Sequence, residues 1–310
     1  MPAAISNGAR IRTNTPAENA YTSLQTSSQI IARSQLRLST GKRINSAADD
    51  VAGYITSRSL AARNGSLRAA LNAVGDAANT ANIAQDGLDN INNLLTQIKD
   101  AASTASSGAL GTDEKIALAK AAFRLSEQIQ TVVDSTVFGG QQLLSGTFTA
   151  DFVIGYNASN SLLTLQVGLD TGSSATNFNI DGSFLLSTTG ANFAGVTGLN
   201  LQSLSSVSSS NLGVFSSVNI INTLTSLSSA LNNVNKVASY LGGLNNRLSS
   251  QEESLKSQIT NYNAAISRIE DADVAKEQLD LIKAQFLQQT SVISLAQANQ
   301  NPQTFLMLMR

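Results

Sequence analysis

The side chains that most often perform catalysis or bind transition metals are missing from this sequence. It contains no Cys and no His among 310 residues. Metal sites built on thiolate or imidazole, serine–histidine–aspartate triads and cysteine–histidine nucleophiles are therefore excluded. No disulfide can form, so the chain would tolerate either a reducing or an oxidising compartment.

Carboxylates are the remaining side chains that could perform catalysis. Two of them could act as acid and base in a hydrolase. The central part of the chain offers only Asp170 and Asp181 for this role, and Asp is a common turn residue. We therefore predict no enzymatic activity, no metal and no cofactor.

Charge and hydropathy exclude two further classes of partner. The net charge is −1 and charged residues make up 13% of the chain, so we predict no binding of nucleic acid or of an anionic membrane surface. No apolar run reaches the roughly 18 residues of a membrane span. The first 20 residues lack the apolar core of a secretory signal, which predicts cytoplasmic residence or export without a cleaved signal.

The stretch from residue 67 to 102 predicts the helix around which the other elements pack. Apolar residues recur at alternating steps of three and four from residue 67 to 102, with mostly polar residues between them. This spacing predicts a helix of roughly 54 Å with one narrow apolar seam suited to coiled-coil packing. The seam consists of Leu67, Ala70, Val74, Ala77, Ala81, Ala84, Leu88, Ile91, Leu95, Ile98 and Ala102.

A second seam of this kind is predicted to be its partner. It runs from residue 220 to 269, with 13 of 15 positions apolar. The seam then changes phase near residues 270–273, which indicates a break, and continues on a final helix. The two sets are Ile220, Leu224, Leu227, Leu231, Val234, Ala238, Leu241, Asn245, Leu248, Glu252, Leu255, Ile259, Tyr262, Ile266 and Ile269, then Ala272, Ala275, Leu279, Ile282, Phe286, Gln289, Ile293 and Ala296.

The first 50 residues predict a helix followed by a break. Thr15 and Pro16 suit a helix start and Gly41 a helix stop. Ser46 and Asp49 have the spacing of a capping box that would begin the next helix. The first helix carries a weak stripe made of Tyr21, Leu24, Ile31 and Leu38.

The middle of the chain predicts smaller elements. A helix capped by Thr112 has a stripe at Leu118, Ala122, Leu125, Ile129 and Val132, and turns are predicted at 138–140 and Gly146. Residues 152–154 and 163–167 alternate as a β-hairpin. Residues 171–215 predict a β-rich insertion with a minor core of Phe178, Phe184, Phe193 and Phe215, or a disordered segment.

The predicted fold is mainly α, a long antiparallel coiled-coil bundle made from both chain ends, with a small hairpin and an irregular central insertion. We expect five segments. Residues 1–45 and 271–310 form a domain of the two terminal helices, 46–170 and 216–270 form a helical rod domain with the hairpin, and 171–215 form an insertion.

Several ordered strings resemble bacterial flagellin, the subunit of the flagellar filament. They are RLSTGKRINSAADDVAG at 37–53, IAQDGLDNINN at 83–93, LGGLNNRL at 241–248, SRIEDAD at 267–273 and SLAQAN at 294–299. The resemblance covers roughly residues 20–170 and 225–310. It is specific, because it extends over long strings near both ends, and the middle has no counterpart.

The resemblance implies a structural subunit that polymerises with other copies of itself for swimming motility. Implied partners are hook-associated and cap proteins and an export chaperone at the C-terminal helix. Implied localisation is the extracellular flagellum after type III export. We expect the terminal helices to be loose until other subunits bury them. Predicted subunit-packing residues are Leu24, Ile31, Leu38, Leu88, Ile91, Leu95, Leu279, Ile282, Phe286 and Ile293.

One departure from the family concerns the vertebrate innate immune receptor. Many flagellins present an arginine-rich patch on this first rod to that receptor. Gln97 stands where those proteins usually carry Arg, and Ala101 where they usually carry Leu. The resemblance therefore implies weak recognition.

Three other interpretations fit the sequence less well. A hook–filament junction protein shares the terminal helices, but Phe305 to Arg310 and the matches at both ends favour the filament subunit. A coiled-coil signalling scaffold is permitted by the seams alone, although the break near residue 270 does not suit one continuous stalk. Some flagellins carry a zinc peptidase, which needs a His-Glu-x-x-His motif that a chain without His cannot supply.

Overall fold

Five helices make up most of the described chain. The computed structural model describes residues 14–146, 148–155, 162–166, 184–190, 192–216 and 218–308. Its helices are α1 (Thr15–Thr40), α2 (Val51–Ala105), α3 (Thr112–Ser135), α4 (Ile220–Glu270) and α5 (Val274–Leu308). The predicted mainly α fold is confirmed, because long helices pack against each other and a small antiparallel hairpin accompanies them.

The described chain divides into two compact units. The first contains Met1–Asn64 and Thr260–Arg310, and the second contains Gly65–Ile259. The division falls inside α2 and inside α4, so its bounds differ from those of the five segments expected from the sequence.

The second unit is organised by the predicted seam on α2. All eleven seam residues from Leu67 to Ala102 are buried, each with at most 2% of its surface exposed. Among the fifteen predicted seam positions of α4 none is exposed, and six of them are buried at intervals of seven residues from Ile220 to Leu255. The helices run antiparallel in this unit, since Asn245 donates a hydrogen bond to Asn82, and Asn92 donates one to Asn235.

Helix α4 buries a second row of residues that its seam did not include. Ala230, Val237 and Leu244 are also buried. Two buried rows on one helix mean that α4 has neighbours on two sides, as in a bundle and unlike a two-stranded coiled coil.

Helix α3 begins and packs differently from the prediction. Its N-cap is Gly111, which has no side chain to cap with, and Thr112 is the first helical residue. The acidic pair Asp113 and Glu114 occupies the first turn, as expected for the positive end of a helix. The buried row is Ala119, Ala122, Ser126, Ile129 and Val133, of which only Ala122 and Ile129 belong to the predicted stripe.

The predicted turns and hairpin are present. Gly139 and Gly140 have φ values of 59° and 83° and connect β1 (Val137–Phe138) to β2 (Gln141–Gln142), the geometry that a tight hairpin turn requires. Strand β3 (Thr149–Val153) pairs antiparallel with β4 (Leu162–Gln166), with Thr149 opposite Gln166.

The central segment is not β-rich where it is described. Residues 184–190 and 192–216, here called the cap segment, contain two 3₁₀ helices, Leu201–Ser206 and Gly213–Phe215, and no strand in these ranges. Phe184, Phe193 and Phe215 are buried, as expected of core residues, while Phe178 lies outside the described residues.

Helix side chains hold the cap segment by its backbone. Gln130 on α3 accepts hydrogen bonds from the amide and hydroxyl of Thr188, and Asn233 on α4 donates one to the carbonyl of Ala194. The cap segment is therefore a folded part of the second unit.

Candidate assembly surface

In the first unit, α1 and α5 pack antiparallel through small side chains. The buried residues of α1 are Ala20, Ser27 and Ser34, spaced by seven. On α5 the buried positions Ala284, Ser291 and Ala298 have the same spacing. Ala and Ser let two helix backbones approach closely but bury little apolar surface. We call α1 and α5 together the terminal helix pair.

Side-chain caps define the first residues of both helices of this pair. The N-cap of α1 is Asn14, whose side chain accepts from the amide of Ala17, so the expected cap at Thr15 is wrong by one residue. Asp273 caps α5 by accepting from the amides of Ala275 and Lys276. Asn14 also donates to the carbonyl of Ala298, which joins the far ends of the two helices.

One charged group lies within the row of small residues. Glu277 is buried, with 8% of its surface exposed. Its carboxylate accepts from the Ser34 hydroxyl at 3.1 Å and from the Arg37 guanidinium at 2.9 Å. Two partners satisfy a carboxylate that burial would otherwise destabilise. We call Ser34, Arg37 and Glu277 the polar cluster.

The two predicted breaks are hydrogen-bonded to each other. Gly41 ends α1 in the left-handed conformation, with φ 68°, and its carbonyl accepts from the amide of Ala272 at 2.9 Å. The amide of Arg43 donates to the carbonyl of Glu270 at 2.6 Å. Residues 41–43 and 270–272 therefore form a small backbone ladder, which we call the joint.

Ser46 and Asp49 form a turn before α2 and not the capping box predicted for them. Oδ2 of Asp49 accepts from both the amide and the hydroxyl of Ser46 and from the amide of Asn45, which closes a turn before the helix. These donors, the Ser46 amide first, lower the pKa of Asp49. Helix α2 is capped instead by Asp50, whose carboxylate accepts from the amide of Gly53.

Large apolar side chains occupy the side of α5 that faces away from α1. At 100° per residue, positions 2, 5, 9 and 16 after Glu277 lie within about 40° of the direction opposite to it. These residues, the exposed ridge, are Leu279, Ile282, Phe286 and Ile293, with 53% to 70% of their surfaces exposed. On α1, Tyr21 and Leu36 are also more than half exposed. Exposed apolar surface of this kind is typical of interaction sites.

The predicted subunit-packing residues fall into three groups. The exposed ridge contains the four on α5. Leu24, Ile31 and Leu38 on α1 are half-buried. Leu88, Ile91 and Leu95 have no exposed surface in a single chain. They form the core of the protomer, so direct contact with another copy does not fit their placement.

Sequence reasoning missed the small residues that join the terminal helix pair. Apolar periodicity highlights Leu, Ile and Phe, which here point away from the partner helix. The signal that could have revealed the contact is the seven-residue spacing of Ala and Ser on both helices, because matched small residues permit close packing.

Two other kinds of site are absent from the described residues. Within the described ranges, no group of three or more acidic residues is placed to hold a metal ion. No helix in the part of the chain described is both long and apolar enough to cross a membrane.

Family models match both ends of the chain. The bacterial flagellin N-terminal helical region matches residues 11–149, and the bacterial flagellin C-terminal helical region matches residues 224–309. Together they cover α1 to β2 on one side and almost all of α4 and α5 on the other.

Relatives agree with these matches, and one solved structure shares the fold. A flagellin of Halalkalibacterium halodurans is 28% identical over 97% of this chain and 99% of its own length. A flagellin of Bacillus subtilis is 29% identical over 97% of this chain and all of its own length. A Vibrio parahaemolyticus structure, provisionally described as a flagellar hook-associated protein, shares the fold with a TM-score of 0.55, at 14% identity over 72% of this chain and all of that one. The chain therefore belongs to the bacterial flagellin family and is a structural subunit of the flagellar filament.

Proposed function

We propose that the chain polymerises through the terminal helix pair, with the exposed ridge of α5 as its main contact with other copies. The observation that carries this proposal is the exposure of Leu279, Ile282, Phe286 and Ile293 on one side of one helix. Burying a side chain of this size contributes roughly 1.5–3 kcal/mol. A second copy that covers the ridge would supply this energy, and a contact that does not close on itself would propagate into a fibre.

The half-buried stripe of α1 is proposed to join this contact at its margin. Leu24, Ile31 and Leu38 are each partly accessible beside α5. The pair buries mainly small residues internally, so its ordering in the free subunit is weakly favoured. We therefore propose that α1 and α5 become fully ordered when neighbouring copies cover them.

Further partners and the route of export follow from the family. We propose that the chain leaves the cell by the flagellar type III pathway and that a chaperone holds the C-terminal helix before export. We also propose that hook-associated and cap proteins are partners of the assembled filament. The same ridge would suit the chaperone, because an unassembled apolar helix needs cover. We propose no enzymatic role, since the family is structural.

Recognition by the innate immune receptor is proposed to be weak. Gln97 is exposed on α2 and Ala101 is half-buried, so neither offers the cation or the large apolar side chain that the resemblance associates with the receptor. Reporter-cell activation close to background would agree with this, and activation at the level of an arginine-bearing flagellin would contradict it.

The assembly proposal can be tested with a matched pair of substitutions. Ile293→Asp places a charge on the exposed ridge, whereas Ile221→Asp places the same charge on an equally exposed residue of α4, 67% accessible against 70%. We expect Ile293→Asp to abolish filament growth, measured by sedimentation and electron microscopy, because assembly would bury an unpaired charge. Ile221→Asp should polymerise. Normal filaments from Ile293→Asp would overturn the assignment of the ridge.

A further inference from the structure

The contact between α1 and α5 is repetitive along its length. Ala20, Ser27 and Ser34 on one helix and Ala284, Ser291 and Ala298 on the other are all buried and all spaced by seven. Displacing α5 by seven residues, roughly 10 Å, would again place Ala or Ser against Ala or Ser. Small residues therefore permit close packing without selecting one alignment.

The connection between α1 and α2 is long enough to permit other alignments. Ten residues, 41–50, separate α1 from α2, and ten extended residues span up to about 33 Å. The hydrogen bonds of the joint would break in a displaced alignment. However, Gly41, Lys42 and Arg43 are exposed, so water can replace the lost partners.

Glu277 distinguishes the observed alignment from the displaced ones. In the observed alignment its carboxylate meets Ser34 and Arg37. Displaced in one direction, it would face Ser27, within a stretch of α1 from residue 19 to 32 that contains no charged side chain. Displaced in the other, it would lie beside Gly41 at the end of α1, where Lys42 and Arg43 are exposed. The first displacement leaves a buried carboxylate without a cation, which is strongly unfavourable. The second replaces the buried contacts with Ser34 and Arg37 by contacts at an exposed end of the helix pair.

We propose that the polar cluster is a positioning device that selects a single register between α1 and α5. A single buried polar group fixes helix register in the same way in coiled coils. This inference rests on the proposed function, because it adds that the selected register aligns the exposed ridge with Tyr21 and Leu36 of α1. A displacement of seven residues would move the ridge by roughly 10 Å relative to them, so copies would no longer present matching surfaces.

The natural absence of Cys allows register to be read by disulfide cross-linking. Ser27→Cys with Ala284→Cys reports the observed register. Ser27→Cys with Ser291→Cys, and Ala20→Cys with Ala284→Cys, report displacement in the two directions. Each pair is oxidised mildly in the full chain, before and after polymerisation, and scored by gel mobility.

Each pair is then combined with Glu277→Ala, or with Lys276→Ala as a control that removes an exposed neighbouring charge. We expect cross-links only in the observed register for the parent and for Lys276→Ala. Glu277→Ala should raise the ratio of displaced to observed cross-links at least about tenfold, because it removes the group that penalises displacement. Glu277→Gln keeps a partner for Ser34 but loses the ion pair, and should give a smaller rise. If the alanine variant fails to fold, the cross-link ratio of Glu277→Gln tests the proposal in its place.

An unchanged cross-linking pattern in both Glu277 variants would overturn the positioning role. Cross-links can be scored with or without polymerisation, because the cysteine pairs lie within one chain. The filament, in which the helix pair is proposed to be fully ordered, gives the sharper result. A ridge variant that still polymerises would overturn the proposed contact surface and leave the register result readable. Displaced cross-links in filaments of normal form would show that register does not control the assembly surface and would overturn that part of the inference.

Discussion

At the scale of single residues, Leu88 is the sharpest test of the protomer core. It lies on the α2 seam with no exposed surface. We expect Leu88→Asp to lower the free energy of unfolding by several kcal/mol, since it buries a carboxylate with no cation partner. Urea or thermal unfolding of the unpolymerised protein measures this directly. Asn90→Asp, at an exposed position of the same helix, should change the midpoint little. An unchanged midpoint for Leu88→Asp would show that the seam is not the core.

Some residue roles could be read from the sequence and others could not. The α2 seam was predictable because large apolar residues at steps of three and four can only face one way on a helix. Helix caps were less so: Asn14 and Asp50 are the observed caps, while Thr15 and Ser46 were expected. Ser, Thr, Asn and Asp cap almost equally well, so where several are adjacent, local backbone geometry decides among them.

At the scale of elements, the terminal helix pair and the cap segment separate what periodicity can and cannot predict. The stripe on α5 was found, but its direction was not, because the sequence does not reveal that α1 prefers the Ala and Ser row. The cap segment was expected to be β-rich and instead contains 3₁₀ helices. Its burial depends on Gln130 and Asn233 from distant helices, a tertiary effect that overrides weak local propensity.

The composition of the terminal helix pair predicts how assembly responds to salt. Residues 19–32 of α1 and 284–308 of α5, which include Phe286 and Ile293 of the exposed ridge, carry no charged side chain. Asp280 and Lys283, which flank Ile282, have opposite charges. A contact centred on the charge-free ranges is therefore mainly apolar and has little Coulombic energy to screen. We expect the critical concentration for polymerisation to change less than about twofold between roughly 0.05 and 0.5 M NaCl. Ammonium sulfate should lower it, because sulfate strengthens apolar burial.

This response distinguishes the proposed contact from an ionic one. Sedimentation of polymer at several protein concentrations gives the critical concentration in each salt. A steep rise in critical concentration with NaCl would indicate that charged groups, such as Arg33 or Lys283 at the other end of the pair, carry the contact instead.

At the scale of the whole molecule, the two units predict separable behaviour. The second unit, Gly65–Ile259, holds most of the α2 and α4 seams, α3 and the cap segment. We expect its buried residues to make it a folding unit of its own. The first unit depends on α5, since α1 alone would bury only a few small residues. Stability and assembly should therefore be carried by different parts of one chain.

Truncation after Ala272 tests this separation. We expect the shortened chain to remain soluble and helical, with a cooperative unfolding transition by circular dichroism, because every buried residue of the second unit is retained. It should form no filaments at any concentration at which the full chain does, since it lacks the exposed ridge and leaves α1 without a partner. The full chain, prepared in parallel, is the control. Filament growth by the truncated chain would contradict the assembly surface. Loss of cooperative unfolding would show instead that the second unit needs α5 to fold, and that assembly and stability are not separable.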